Sequence, residues 1–198
     1  MDHKEELLSA AKDSDFTWML SDVSSAGSME AWLMEVTINE IEGVSFPFAV
    51  QVKPSNRIIG TTRYMDISEK HRRVEIGGTW YKRGYWGTAV NPESKYLLMK
   101  HAFEDWGANR VQIKTDGNNL HSQRAILKLG AVFEGRLRDH MVRRDGTLRD
   151  TMMYSVIREE WPTVSEKLKN RILAFGSLQE GAGSENVKDV AEDHRIPM

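Results

Sequence analysis

The sequence predicts an α+β fold, with helices packed on a mixed, largely antiparallel sheet. Three observations lead there. Two pairs of β-prone runs, Phe48–Val52 with Ile58–Ile67 and Ala131–Val142 with Thr147–Arg158, are each separated by a short turn signal and read as hairpins. Apolar residues recur at helical spacing elsewhere, as in Met99, Ala102, Phe103 and Trp106. Between them, a strand ends in a loop of little side-chain bulk, Gly84–Ala89, and runs straight into a marked helix start at Asn91-Pro92-Glu93.

Taken in order, residues 3–20 and 28–42 read as two helices joined by the Ser-rich stretch 21–27. Ser28 is the expected N-cap of the second, Trp32, Leu33 and Val36 its inward stripe, and Gly43 its end. The first hairpin turns about Pro54-Ser55-Asn56, with Ile58 and Ile59 as a buried start. After the polar turn Ser68–Arg72 comes a third strand, Val74–Tyr81, in which Gly77-Gly78 predicts a bulge or a close backbone approach. Arg110–Lys114 is a short strand, Asn119–Leu129 a helix, and the second hairpin turns at Arg143–Gly146. Pro162 is expected to close the folded pattern, with Val164–Phe175 adding a last helix whose Leu168, Ile172 and Leu173 share one side. The Gly-rich, acidic stretch from Glu180 has too little apolar content to fold. The expected organisation is one domain, 1–178, and a disordered acidic tail, 179–198.

Composition narrows the functional classes. A chain of 198 residues can bury a substantial core without staples, and the absence of cysteine removes disulfides, thiolate nucleophiles and cysteine-type zinc sites. A net charge of −2 argues against sequence-independent nucleic-acid binding. The basic cluster Lys70–Arg73 is short, and that of Arg136–Arg149 is interrupted by Asp139 and Asp145, as on a solvated face. The charged N-terminus lacks an apolar signal region and no run approaches membrane-spanning length, so a cytoplasmic protein is expected. His71, His121 and His140 are isolated, without metal-ligand spacing, and no metal is assigned.

The organising stretch has a chemical meaning. A strand, a loop with little side-chain bulk and a capped helix together present backbone N–H groups to an anion; Asn91 is the expected cap, and Pro92 loses no useful donor. The loop resembles the Q/R-x-x-G-x-G/A pyrophosphate loop of the GNAT superfamily of N-acetyltransferases. Gly87 and Ala89 match its last two fixed positions, while Gly84 stands where that pattern has Gln or Arg. Two further stretches resemble the ribosomal-protein alanine N-acetyltransferase branch. They are Asn119–Ser122 followed by Ala125–Ala131, and Glu134–Arg138 followed by Gly146, Arg149-Asp150 and Tyr154-Ser155.

The resemblance implies a sheet splayed at the cofactor site, acetyl-CoA as co-substrate, and acetyl transfer to a primary amine, either a protein N-terminus or a small molecule. It implies pyrophosphate on Gly84, Tyr85, Trp86, Gly87, Thr88 and Ala89, with packing the expected role of the Tyr85 and Trp86 side chains. It places pantetheine on the main chain of Thr79, Trp80 and Tyr81 and on Asn119. Members also carry a strand before the first helix, whereas this chain begins within that helix, which implies either a sheet without that edge strand or a shortened start, and leaves a homodimer contact there open.

Two side chains are candidates for proton chemistry. Glu75 lies on the strand leading to the loop, with Val74 and Ile76 expected on the opposite face, and would take the proton of the attacking amine. Its alternative role is an ion pair with Arg63, Arg72 or Arg73. Ser122 shares the spacing of Ala125, Ile126 and Leu129 and would protonate the departing thiolate; otherwise it bonds only its own backbone. Without cysteine, a covalent acyl-cysteine intermediate is impossible, and direct attack on the thioester is expected. The acceptor pocket is expected between the first two helices and the Arg143–Gly146 turn. A non-catalytic acyl-CoA sensor would need the loop but not Glu75. A dinucleotide-binding domain is set aside because the glycines are mis-spaced.

Overall fold

The computed structural model describes residues 3–53 and 55–179. Two helices, α1 (Lys4–Ala11) and α2 (Ala26–Ile41), precede strands β1 (Ser45–Val52), β2 (Arg57–Ser68) and β3 (Arg73–Tyr81). A short 3-10 turn, Arg83–Tyr85, leads to α3 (Val90–Lys100). Then follow β4 (Arg110–Asp116), α4 (Leu120–Leu127), β5 (Val132–Val142), β6 (Leu148–Ile157) and α5 (Trp161–Gln179). The strands form one sheet in the order β1-β2-β3-β4-β6-β5. All neighbours are antiparallel except β3 and β4. This is the predicted mixed, largely antiparallel arrangement.

The two faces of the sheet are covered differently. On one, Val74, Ile76, Val111 and Ile113 pack with Met99 and Phe103, Ile126 and Leu129, and Trp161 and Leu168. The predicted stripe Met99, Ala102, Phe103 is buried there, with Trp106 at its margin. On the other face α1 and α2 bury Leu7, Phe16, Met29, Trp32 and Val36 against Ile58 and Trp80. Alternation along β3 therefore places Glu75 away from Val74 and Ile76, as expected.

Several boundaries differ from the expectation, each for a local reason. The first helix stops at Ala11 rather than near 20, because Ser14 Oγ donates to the Ala10 carbonyl and to the Tyr81 carbonyl, 2.8 and 3.0 Å away. Asp15 then turns the chain by accepting from the Thr17 amide and hydroxyl. Ser25, not Ser28, caps α2; the two serines form a reciprocal capping box with Ser28 at the third helical position. Gly43 ends α2 at a φ of 70°, where Gly43 and Val44 amides return to Glu40 and Asn39. Pro162 does not close the folded pattern but sits in the first turn of α5, where its missing N–H has no intrahelical use. The buried side of α5 is Trp161, Val164 and Leu168, whereas Leu173 is 69% exposed. Gln179 is the last residue of α5, and the remainder of the expected tail lies outside the described residues.

Candidate active site

The sheet opens beside Glu75. β3 and β4 pair only through Arg73 with Arg110, Val74 with Val111 and Glu75 with Gln112. Beyond that point β3 stays with β2 and β4 stays with β6, leaving a wedge between residues 76–81 and 113–116. The bulge predicted at Gly77-Gly78 bends β3 here: Thr61 and Arg63, two residues apart, face Trp80 and Gly77, three apart. Gly78 has a φ of 57°, and a Cβ on it would come within 2.6–3.1 Å of Arg63 Nε, Cγ and Cδ. Only glycine accommodates both demands.

At the open end of the wedge the chain offers main-chain donors. Tyr85 and Trp86 amides close the 3-10 turn on the Lys82 and Arg83 carbonyls, and Gly87 then takes a φ of 74°. Among the described residues, no acceptor takes the amides of Gly87, Thr88, Ala89 or Asn91. Asn91 does not cap the helix as expected. α3 begins at Val90, two residues before Pro92, because Val90 is drawn into a cluster with Val50, Val52, Ile59 and Tyr81. Thr88 Oγ1 accepts from the Val90 amide at 3.3 Å. Gly84 is open, with nothing near a built Cβ. Tyr85 packs against the Val90 cluster. Trp86 donates to the Tyr81 carbonyl, carries Arg83 over its ring at 5.1 Å, and stacks on His121 of α4 at 5.7 Å. Thus Trp86 and His121 join the two sides of the wedge.

The wedge is lined as follows. Thr79 bonds Thr62 through the hydroxyls, 2.8 Å apart. Trp80 is buried edge-on against Phe16, 5.4 Å between ring centres, and the Tyr81 carbonyl is engaged by Ser14 and Trp86. On the far side Asn119 Oδ1 caps α4 by accepting from the Ser122 amide at 3.0 Å. The half-buried Ser122 hydroxyl bonds no described residue, while Ile126 and Leu129 below it are buried.

Glu75 is 1% exposed. Lys114 Nζ lies 2.9 Å from its Oε2, and Gln112 Nε2 donates to the same oxygen at 3.3 Å. The expected arginine partners are not used: Arg73 pairs with Asp66, and neither Arg63 nor Arg72 forms an ion pair within the described residues. Oε1 faces Gly77, where an added Cβ would stand 3.0 Å from it. Both flanking oxygens are thus accounted for, one fixed by neighbours and one beside the bulge.

Several further charged groups stand near the wedge that do not stand out in the sequence as site residues. Asp116, at the end of β4, is buried and accepts from Arg143 Nε at 2.7 Å and Nη2 at 3.0 Å. Burial alone would raise its pKa, but the Arg143 hydrogen bonds, the Asn118 amide and the charges of Arg143 and Arg149 together hold it below the usual carboxylate range. Arg149 of β6 approaches the same carboxylate only to 3.8 Å. The adjoining Arg144 reaches Asp22 and the Phe16 carbonyl, at 3.0 and 2.8 Å, tying the β5–β6 turn to the α1–α2 connection. On the opposite face Lys95 of α3 is 4% exposed and donates to the Thr62 and Thr79 hydroxyls. Burial pushes its ammonium down to a pKa of about 7. Lys95 shares the spacing of Met99, Ala102 and Trp106, and that was the signal that it faces inward.

Comparison with known proteins agrees with this geometry. The model of the acetyltransferase (GNAT) domain family matches residues 1–132. The chain is 29% identical over 141 residues to the uncharacterised N-acetyltransferase p20 of Bacillus licheniformis, covering 71% of this chain and 76% of that protein. It is 27% identical over 104 residues to YdaF of Bacillus subtilis, provisionally named a ribosomal N-acetyltransferase, covering 52% and 56% of the two chains. The crystal structure of a GCN5-related N-acetyltransferase from Brucella melitensis superposes with a TM-score of 0.80 at 28% identity, over 86% of this chain and 78% of that one.

Proposed function

The chain belongs to the GNAT acetyltransferase family, and on that premise we propose that it moves an acetyl group from acetyl-CoA to a primary amine by direct attack, with Glu75 as base. The observation that carries the proposal is the wedge: free amides at its mouth, and a buried carboxylate at its vertex. The pyrophosphate of acetyl-CoA lies on the amides of Gly87, Thr88, Ala89 and Asn91, favoured by the α3 dipole, and the pantetheine arm enters between β3 and β4 beside Thr79–Tyr81 and Asn119. Because the Tyr81 carbonyl is engaged, Thr79 and Trp80 supply the pantetheine contacts on that strand unless Trp86 moves.

The amine nitrogen attacks the thioester carbonyl carbon, and the carbon–sulfur bond breaks. The amine proton passes to Glu75 Oε1, while Lys114 and Gln112 hold Oε2 in place. The uncommitted Ser122 hydroxyl passes a proton to the coenzyme A thiolate as it takes one from solvent water, so the serine is left neutral. The acceptor enters on the Glu75 face, between the α1–α2 connection and the β5–β6 turn that Arg144 links. The motif resemblance and the name of YdaF support a protein N-terminus as one acceptor class. A sensor that never turns over is the weaker reading, since it would use the buried Glu75 only as the partner of Lys114 and Gln112 and needs no proton acceptor at the wedge.

Two measurements test this. Coenzyme A should raise the melting temperature of the wild type, and Gly87→Glu should abolish the rise by placing bulk and negative charge against the phosphates. Acetyl-CoA incubated with a panel of amines and N-terminal peptides should release thiol with some of them. A Gly87→Glu variant that keeps the full coenzyme A shift would overturn the site; absence of thiol release across the panel would favour the sensor.

A further inference from the structure

On the Glu75 face, charge does not balance. The strand register brings Arg63 of β2, opposite Gly77, onto the same face as Glu75, Lys114 and Asp116, and Arg149 of β6 lies two residues before Thr151, the partner of Asp116. Glu75 is taken by Lys114, and Asp116 by Arg143. Asp66, which also accepts from Gln112, is taken by Arg73, so five cations, Arg63, Arg73, Lys114, Arg143 and Arg149, stand with three carboxylates.

Arg149 is the anomaly. It is 6% exposed, it makes no hydrogen bond among the described residues, and its Nε is buried without an acceptor. Its nearest carboxylate oxygen, 3.8 Å away on Asp116, already accepts from Arg143. Arg63 repeats the pattern: its Nε is also buried without an acceptor, and its stem lies over the Gly78 bulge. A guanidinium carries five donors, and a buried one left unbonded is costly unless a partner arrives. Both orphaned donors belong to strands flanking the wedge strands, and Arg149 feels the charge of Glu75.

Resting on the acetyltransferase reading above, we propose that the acceptor is an amine that also carries a carboxylate, which Arg149 and Arg63 bind on the Glu75 face. The planar forks of the two arginines match a carboxylate. The surplus of positive charge repels an ammonium that comes alone, so polyamines are poor acceptors. It also favours the neutral, nucleophilic form of an amine once its carboxylate is seated. Two sources share this chemistry: a free amino acid, and a peptide with an acidic side chain close behind its N-terminus.

The test is acetyl transfer to matched pairs: β-alanine and alanine against their carboxamides, and a peptide with aspartate in its second position against the asparagine form, with spermidine as a polycation. Carboxylate members should be preferred in kcat/KM by about 10- to 100-fold, the scale of a hydrogen-bonded buried charge. Which pair shows the preference names the source. Arg149→Met should collapse the preference while the melting-temperature rise with coenzyme A persists; Arg149→Lys should restore part of it. Arg63→Gln serves if Arg149→Met does not fold. Binding is read separately: the N-acetyl products, added to the coenzyme A complex, should raise the melting temperature further as carboxylates and not as amides. Equal use of carboxylates and carboxamides, a preference untouched by both arginine variants, or products that bind alike in both forms would overturn the carboxylate site. Loss of the coenzyme A shift itself would instead overturn the acetyltransferase assignment on which it rests.

Discussion

On one side of β3 a buried lysine, Lys95, bonds only the hydroxyls of Thr62 and Thr79 among the described residues; on the other, Lys114 meets the Glu75 carboxylate at 2.9 Å. The two amines stand against the same strand and differ in their company. A carboxylate partner offsets the desolvation of a buried ammonium, whereas a pair of neutral hydroxyls offsets it poorly. Lys95 is consequently pushed down to a pKa of about 7, where half of it is neutral at ordinary pH. The faces thus separate into one that packs and can discharge its cation, and one that keeps fixed charges beside the wedge. That difference is open to direct attack.

The largest effect is expected at Glu75. Glu75→Gln should cut turnover by about 10²- to 10⁴-fold, the usual contribution of a general base, with coenzyme A binding retained. The same change strands Lys114 without its partner, so stability should fall as well. Glu75→Gln combined with Lys114→Met should recover stability but not rate. If the double variant recovers both, the carboxylate is structural and the base lies elsewhere.

Lys95 comes next. Its folded pKa lies below the unfolded value, so between about pH 7 and pH 10 the unfolded chain binds a proton that the native state has released. Stability should therefore rise with pH through that window, by about 3–5 kcal/mol from this group alone. Above it, burial keeps the Tyr64 and Tyr81 phenols protonated only in the fold, which sends a further term downwards as they ionise. Denaturant midpoints at pH 7, 8.5 and 9.5 should converge between wild type and Lys95→Met as pH rises, with the variant ahead at pH 7. A constant difference would mean that Lys95 keeps its proton in the fold.

The contrast between these two lysines shows what a single sequence can and cannot reveal. Hairpins, the α3 stripe and the bulge at Gly77-Gly78 were legible because each is local: alternation, helical spacing and paired glycines lie within a few residues of one another. The side of β3 that Glu75 faces was legible for the same reason, from strand alternation against Val74 and Ile76. The true partner of Glu75 was not, because Lys114 arrives through the pairing of β3 with β4, two residues beyond Gln112, which itself lies 37 positions after Glu75. Arg149 and Asp116 meet only through the β4–β6 register. The helix expected over 3–20 failed differently: Ser14 and Asp15 offered the backbone side-chain partners that periodicity does not register. The tail expected from 179 falls almost wholly outside the described residues.

A smaller effect separates the two glycines around the wedge. Gly78→Ala must hold a side chain at a φ of 57° and displace Arg63, so a loss of about 1–2 kcal/mol is expected, together with weaker use of whatever Arg63 binds. Gly84→Ala meets nothing within 4 Å and should change stability by less than about 0.5 kcal/mol. Equal costs at the two positions would mean that the bulge is not what holds Arg63.

The smallest effect on turnover is expected at Ser122, and its signature is a dependence rather than a size. Its amide is spent on capping α4, but its hydroxyl is uncommitted and faces no described acceptor. If that hydroxyl protonates the departing thiolate, Ser122→Ala should slow transfer from acetyl-CoA by about 3- to 10-fold, the worth of one ordinary hydrogen bond. An acyl donor whose thiol is more acidic needs less help in leaving, so the cost should shrink towards none with such a donor. Glu75→Gln acts on the incoming amine and should show no such relief. A Ser122→Ala penalty that stays constant across donors of different thiol acidity would place Ser122 in the architecture of α4 alone, and leave water as the proton source for coenzyme A.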